Sequence, residues 1–343
     1  MDCADAMDDK EIFRQMHCCL LIPDLFPQDL RLPALDALLA HGNPLAEPEG
    51  DMESWLCRAF DVERQADWPV APFSLLADGG VPGSDYWLRV DPVSVRLMRN
   101  RLVLFAGNDI APGAEEASAL CAALTRHFSA ENLHFSAPHP RRWYLRLPVA
   151  PKLHTHPPAQ VSGRDIRHFM PGGADSAGFH KLLNEAQMLL HAHPLNEARE
   201  AAGLPPINSI WPWGGGILPD AVACPYVRVF ADDAPTRGLA LKAGAICHAL
   251  PPDADACLQA GSGDLLVVLD ALRSTAREDQ LARLEADWFA PLKLALRRGV
   301  IRRLSLIAPG ASAITLGRLD LLVPAGIGKL WRRYAGGGSK PGA

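Results

Sequence analysis

The apolar run His17 to Pro23 (HCCLLIP) predicts a short buried strand that ends at Asp24. A carboxylate just past the carboxyl end of such a strand stands where open α/β sheets place their ligand sites. Leu35, Leu38 and Leu39 share one helical face, so a helix is predicted over 33–40, with Gly42 as its stop and a loop over 43–50. From Trp87 the pattern changes to alternation. Val93, Val95 and Leu97 fall on one face, Arg99-Asn100 makes a turn, and Leu102 and Leu104 return. A helix over 115–128 and strands near 133–135 and 143–147 complete a small α+β group, and the Pro- and His-containing stretch 148–160 reads as its exit linker. Helices are then predicted over 176–190 and 277–298, with apolar segments at 207–213, 226–230, 265–270 and 304–308 and a glycine run at 214–216. Strands separated by helices imply an α/β fold with a doubly wound, mostly parallel sheet. The expected organisation is a discontinuous core of residues 15–86 and 166–325, an inserted α+β domain at 87–165, and flexible tails at 1–14 and 335–343.

Composition narrows the classes. The chain has 343 residues, 48% hydrophobic and 21% charged, which suits a sizeable core. Its net charge of −5 argues against a nucleic-acid surface as the main function. The start, MDCADAMDDKE, is acidic with no long apolar run behind it, and no stretch reaches the ~20 apolar residues of a membrane span. The eight cysteines contain no CxxC pair, and Cys18 and Cys19 read as small buried fillers. A cytoplasmic location is the expectation.

The segment 189–216 reads LLHAHPLNEAREAAGLPPINSIWPWGGG. It resembles the stretch of the archaeal-type, cofactor-independent phosphoglycerate mutases in which a helix ends in HPxNxxR. There a Gly, a P-x-N and an aromatic strand closing on glycines follow. Phe60-Asp61 with WPVAPFSLLADGG, the run PGSDYWLRVDPVSV containing Arg89, and VSGRDIRHFM at 161–170 are similar to further stretches of that family, in the same order. Among the family's degenerate relatives the chain looks most like the RpfE-type regulatory proteins of proteobacteria. The resemblance implies an alkaline-phosphatase-like core with a small insert. It also implies chemistry by two divalent metals, which lower the pKa of a hydroxyl nucleophile and clamp the attacking and leaving oxygens.

Set against that pattern, much of the site is missing. Asp24 matches a metal-ligand position. The expected serine position is Gly50; Ser54 is close but out of register, and Ser84 in PGSD stands at the entrance of the insert. The family's late ligands include imidazoles, yet the last histidine is His248, and the strand that would end in Asp-His ends in Ala308-Pro309-Gly310. No catalytic residue, metal ligand set or cofactor is therefore expected. The candidate ligand-binding residues are Asp24, Arg89, Asn196, Arg199, Asn208, Trp211, Trp213, Gly214, Gly215 and Gly216. Three functional readings stay open. The leading one is a non-catalytic regulatory or binding protein that takes a small phosphorylated acid or a protein partner. The second is a phosphomutase or phosphatase with a metal site rebuilt from Asp24, His154, His156, His191 and His193. The third is a structural partner protein that docks through its C-terminal LWRRY segment.

Overall fold

The computed structural model describes residues 16–25, 30–46, 48–260, 263–273 and 277–322. The expected tails and the LWRRY segment lie outside the described residues. The contacts divide the chain into two units. One comprises residues 1–61, 223–233 and 243–343; the other comprises 62–222 and 234–242.

The first unit is built on a seven-stranded sheet in the order β2-β12-β11-β1-β10-β8-β9. The strands are β1 (His17–Leu21), β2 (Asn43–Pro44), β8 (Arg228–Phe230), β9 (Ile246–His248), β10 (Leu265–Val268), β11 (Arg303–Ala308) and β12 (Ser312–Gly317). β1 lies between β10 and β11 and runs parallel to both, as β8 does to β10 and β9; β12 and β2 close one edge antiparallel. Alternation along the strands puts Cys18, Leu20, Ile22, Leu265, Val267, Leu304 and Leu306 in one core with Leu35, Leu38, Phe289 and Leu292. The helix Pro33–His41 has no side-chain cap of its own; the Glu285 carboxylate accepts its orphan N–H groups at Ala34 and Leu35. The helix expected over 277–298 is instead two α-helices, Arg277–Leu284 and Ala290–Arg298, joined by a π turn at Glu285–Phe289.

The second unit holds an antiparallel sheet. Its long strand β3 (Tyr86–Met98) pairs with β4 (Arg101–Ala106), β6 (Arg142–Leu147) and β7 (Ser209–Ile217), and β6 pairs with β5 (His134–His139). The sheet buries Leu88, Val90, Phe135, Trp143 and Leu145 against Leu120 and Leu124 of the helix Ala114–His127 and Leu183 and Leu190 of the helix Ser176–His191. β5 is an edge strand, and Thr125 Oγ1 both accepts from Phe135 N (2.9 Å) and donates to Phe135 O (3.1 Å). That hydroxyl satisfies backbone groups that would otherwise be open for pairing.

The protein is thus α/β, with a mixed, mostly parallel sheet and a second, antiparallel one. The division differs from the 87–165 boundary. The aromatic strand and its glycines, expected in the parallel core, belong to the antiparallel sheet, because β7 pairs with β3 from Tyr86 to Val93. Residues 62–86 join that body through the helix Val70–Ala77, which packs against β7 and against the helix Ala234–Lys242.

That helix pair supplies a test. A Cβ on Gly238 would collide with the Phe73 carbonyl, whereas Gly178, in an exposed helical turn, has nothing within 4 Å. Gly238→Ala is expected to lose about 1–3 kcal/mol by overpacking. Gly178→Ala is expected to gain ~0.5–1 kcal/mol from reduced chain entropy. Urea titrations of the two variants check both signs.

Candidate functional site

In the first unit the carboxyl ends of the parallel strands carry Asp24, Asp232, His248 and Asp270, each on a different strand. β1 runs out through Ile22-Pro23 to Asp24, whose backbone is left-handed (φ 60°), a conformation Asp tolerates in turns. After β8, Asp232 accepts from Leu250 N at 3.0 Å. Asp270 opens a 3-10 turn after β10. β11 is followed by Pro309 and by Gly310, whose N–H donates to Pro48 O at 2.8 Å. Among the described residues, no three His, Cys, Asp or Glu side chains form a group able to hold a metal.

The loop held there contains the expected serine position. Gly50 has φ 81°, and a Cβ on it would collide with Ser54 Oγ. Ser54 opens the helix Met52–Ala59: its N–H donates to the Asp51 carboxylate at 2.9 Å and its hydroxyl to Asp51 O at 2.9 Å. The Ser54 hydroxyl is therefore buried and bonded to the backbone of Asp51, whose carboxylate caps the helix. Ser84 is exposed in the turn before β3.

In the second unit β3 carries Arg89 and Asp91 two residues apart on one face. Arg89 donates from Nε to Asp91 Oδ1 at 2.9 Å and from Nη2 to Oδ2 at 2.8 Å. Its guanidinium lies 4.9 Å from the Trp213 ring centre and 5.5 Å from that of Tyr144. Trp213 Nε1 donates to Asp91 Oδ2 at 2.8 Å. Burial opposes charge on Arg89, but the Asp91 carboxylate outweighs it and holds the guanidinium protonated. Nearby, Asp78 accepts from Tyr144 Oη at 2.6 Å and from Arg142 Nε at 2.8 Å. Burial alone would raise the Asp78 pKa; the Arg142 and Tyr144 donors overcome it and hold the carboxyl below its ordinary range.

The HPLNEAR stretch forms a clasp. Asn196 donates to Leu190 O (2.7 Å) and Ile207 O (2.9 Å) and accepts from Ile207 N (2.7 Å). Arg199 pairs with Glu116 at 2.8 Å and donates to the carbonyls of Pro205 and Ile110. Both side chains are buried, and each nitrogen of Arg199 and both polar atoms of Asn196 meet a group of the protein itself. His193 Nδ1 accepts from Leu195 N at 3.3 Å and caps the helix Pro194–Ala201; His191 is exposed at the end of the preceding helix. His154 bridges Gly172 through its backbone, and His156 meets Phe169 edge-on and Gln160 at 3.2 Å.

The aromatic strand is also locked from within. Asn208 uses its amide like a strand neighbour, exchanging bonds with Val95 N (2.8 Å) and O (2.9 Å). Trp211 Nε1 donates to His156 O at 2.7 Å. The glycines lie inside β7, where another part of the chain comes close: added Cβ atoms would meet Val70 at Gly214, Tyr86 and Leu88 at Gly215, and Pro69 at Gly216. Asp91, Asp78, Tyr144 and Arg142 were not anticipated. The signal for Asp91 was available, since Arg-x-Asp in an alternating strand places both charges on one face.

No protein-family model matches the chain. It is 33% identical over 115 residues to a 2,3-bisphosphoglycerate-independent phosphoglycerate mutase of Methanosarcina mazei, covering 32% of this chain and 28% of that protein. It is 27% identical over 206 residues to the corresponding mutase of Methanosarcina barkeri, covering 56% of this chain and 50% of that one. The chain thus matches half or less of the length of these two curated relatives. Among solved structures, the PH0037 protein from Pyrococcus horikoshii superposes with a TM-score of 0.51 at 12% identity, over 96% of this chain and 99% of that one, a likeness of fold. The chain is a distant relative of the cofactor-independent phosphoglycerate mutases.

Two measurements probe the arginine cluster. Arg89→Ala leaves the buried Asp91 without its cation and is expected to cost about 3–5 kcal/mol. Arg89→Ala with Asp91→Ala should cost less than the sum of the single changes, as read from a denaturation cycle. The depressed Asp78 pKa contributes stability that is present above the ordinary aspartate range near ~3.9 and lost as pH falls through the folded value. The acid limb of the stability curve should therefore be shallower in Asp78→Asn than in the parent chain.

Proposed function

We propose that this phosphoglycerate-mutase-like chain is a non-catalytic binding or regulatory protein of the RpfE type, which takes a small phosphorylated acid and performs no metal-dependent phosphoryl transfer. The observation that carries this reading is the run-out of β11 into Ala308-Pro309-Gly310, together with Gly50 at the position expected for the nucleophile. Asp24, Asp232, Asp270 and the imidazole of His248 do not make up for the imidazoles that the chain lacks after position 248, because metal affinity and geometry both depend on ligand number. The donor set does not fit a two-metal centre.

The ligand class is taken from the relatives, whose names specify phosphoglycerate. Arg89 is the candidate contact. Its Nε and Nη2 are engaged by Asp91, while Nη1 makes no hydrogen bond among the described residues and keeps two N–H donors for a phosphate or carboxylate. Asn196 and Arg199 serve the fold of this site and take no ligand in this reading.

The test is calorimetric titration of the full chain with 3-phosphoglycerate, alongside an assay for its isomerisation with added Mn²⁺. Wild type is expected to bind without turnover. Arg89→Lys keeps a cation beside Asp91 but loses the guanidinium fork; affinity is expected to fall by about 2–3 kcal/mol, roughly 30- to 150-fold, with melting showing a folded variant. Metal-dependent turnover by wild type would replace this reading with the enzymatic one. Absence of binding by folded wild type would remove the ligand.

A further inference from the structure

One end of the antiparallel sheet concentrates positive charge, against a net charge of −5 for the chain. The hairpin of β3 and β4 turns at Arg99-Asn100, with Met98 paired to Arg101. The chain after Val161 lies along the outer edge of β4. Gly163 N donates to Leu104 O at 3.3 Å, Val103 bridges Asp165, and Arg167 Nη2 donates to Asn100 O at 3.0 Å. Arg96, Arg99, Arg101, Arg164 and Arg167 are all exposed at this end. Asp165, the acid in that outer segment, is engaged by Arg167 Nε at 3.0 Å. Arg96 lies 5.3 Å from the Phe105 ring centre and Arg164 4.6 Å from that of Phe169. Stacking of this kind orients a guanidinium; Arg96 Nε meets Ser94 Oγ at 3.4 Å and Arg164 Nη1 meets Gln160 O at 3.3 Å, and each side chain has further N–H donors beyond these.

The apex is also apolar. Leu97 is 73% exposed and Met98 51% exposed. Adjacent strand residues point to opposite faces, so the tip carries a large apolar side chain on each. These residues stand out at a turn, with arginines on either side.

We propose that this hairpin tip docks on an anionic membrane surface: Leu97 and Met98 enter the headgroup boundary, and the surrounding arginines bind lipid phosphates. A projecting tip with apolar groups on both faces suits a fluid interface that closes around it. A rigid acidic protein would have to offer a matching socket. Basic residues beside a partly inserted apolar group are the pairing that anionic bilayers retain. The surface uses no residue of the ligand reading above, so each stands or falls alone.

Vesicle co-sedimentation of the full chain tests it. Binding is expected to vesicles of phosphatidylcholine with 30% phosphatidylserine at ~0.1 M salt, weakly to phosphatidylcholine alone, and to fall at ~0.5 M salt as screening grows. The double variant Leu97→Ser, Met98→Ser is expected to lose at least tenfold in partitioning with an unchanged melting temperature. Arg99→Ala, Arg101→Ala should bind less and lose part of the salt dependence. No pelleting with anionic vesicles at low salt would overturn the proposal. Undiminished pelleting of the Leu97, Met98 variant would overturn it too, because the patch would then be a general polyanion site of the kind an acidic protein could use.

Discussion

Excluding water from the Arg89–Asp91 pair is the constraint around which the antiparallel body is organised. An isolated buried charge is too costly to keep, so the guanidinium must have its carboxylate partner and aromatic neighbours in place before the sheet can close. β3 supplies Asp91, β7 supplies the Trp213 ring and a donor for the carboxylate, and β6 supplies the Tyr144 ring. The same tyrosine passes its hydroxyl to Asp78, which fixes Arg142 on the same strand. Three strands are thus held in one register by charge and hydrogen-bond geometry rather than by apolar matching alone.

The glycine run and the HPLNEAR stretch show how a motif can keep a shape for reasons internal to the fold. Glycines after an aromatic pair allow either a ligand or another part of the chain to come close. Here Pro69, Val70 and Tyr86 fill that space. Likewise Asn196 and Arg199 hold the turn between Leu190 and Ile207 and tie it to Glu116. A distant relative can therefore retain these residues for the sake of the fold alone.

Much of this was legible in the chain. The β1 strand, the β3–β4 hairpin, the helices before and after β5 and β6, and the α/β class follow from apolar runs and alternation. Two kinds of feature did not. The partner sheet of β7 depends on long-range pairing with Tyr86–Val93, and a continuous apolar run such as SIWPW looks the same in either sheet. The π turn at Glu285–Phe289 leaves the helical period nearly intact, so the pattern over 277–298 reads as one helix. Among the candidate residues, Arg89 entered through the family resemblance and Trp213 through the aromatic strand before the glycines, and their shared carboxylate emerges only when β3 and β7 are side by side.

The order of strands in the parallel sheet has a consequence for how the protein is made. β1 is flanked by β10 and β11, strands synthesised long after it, while nearly all of the antiparallel body is translated in between. During vectorial synthesis Cys18, Leu20 and Ile22 emerge from the ribosome with no neighbouring strand, and they stay unpaired while residues 62–222 acquire their own core. The last-made strands complete the first. A cell making this chain must shield that early apolar segment for most of translation, and truncation anywhere before β11 would leave it permanently without a partner on one side.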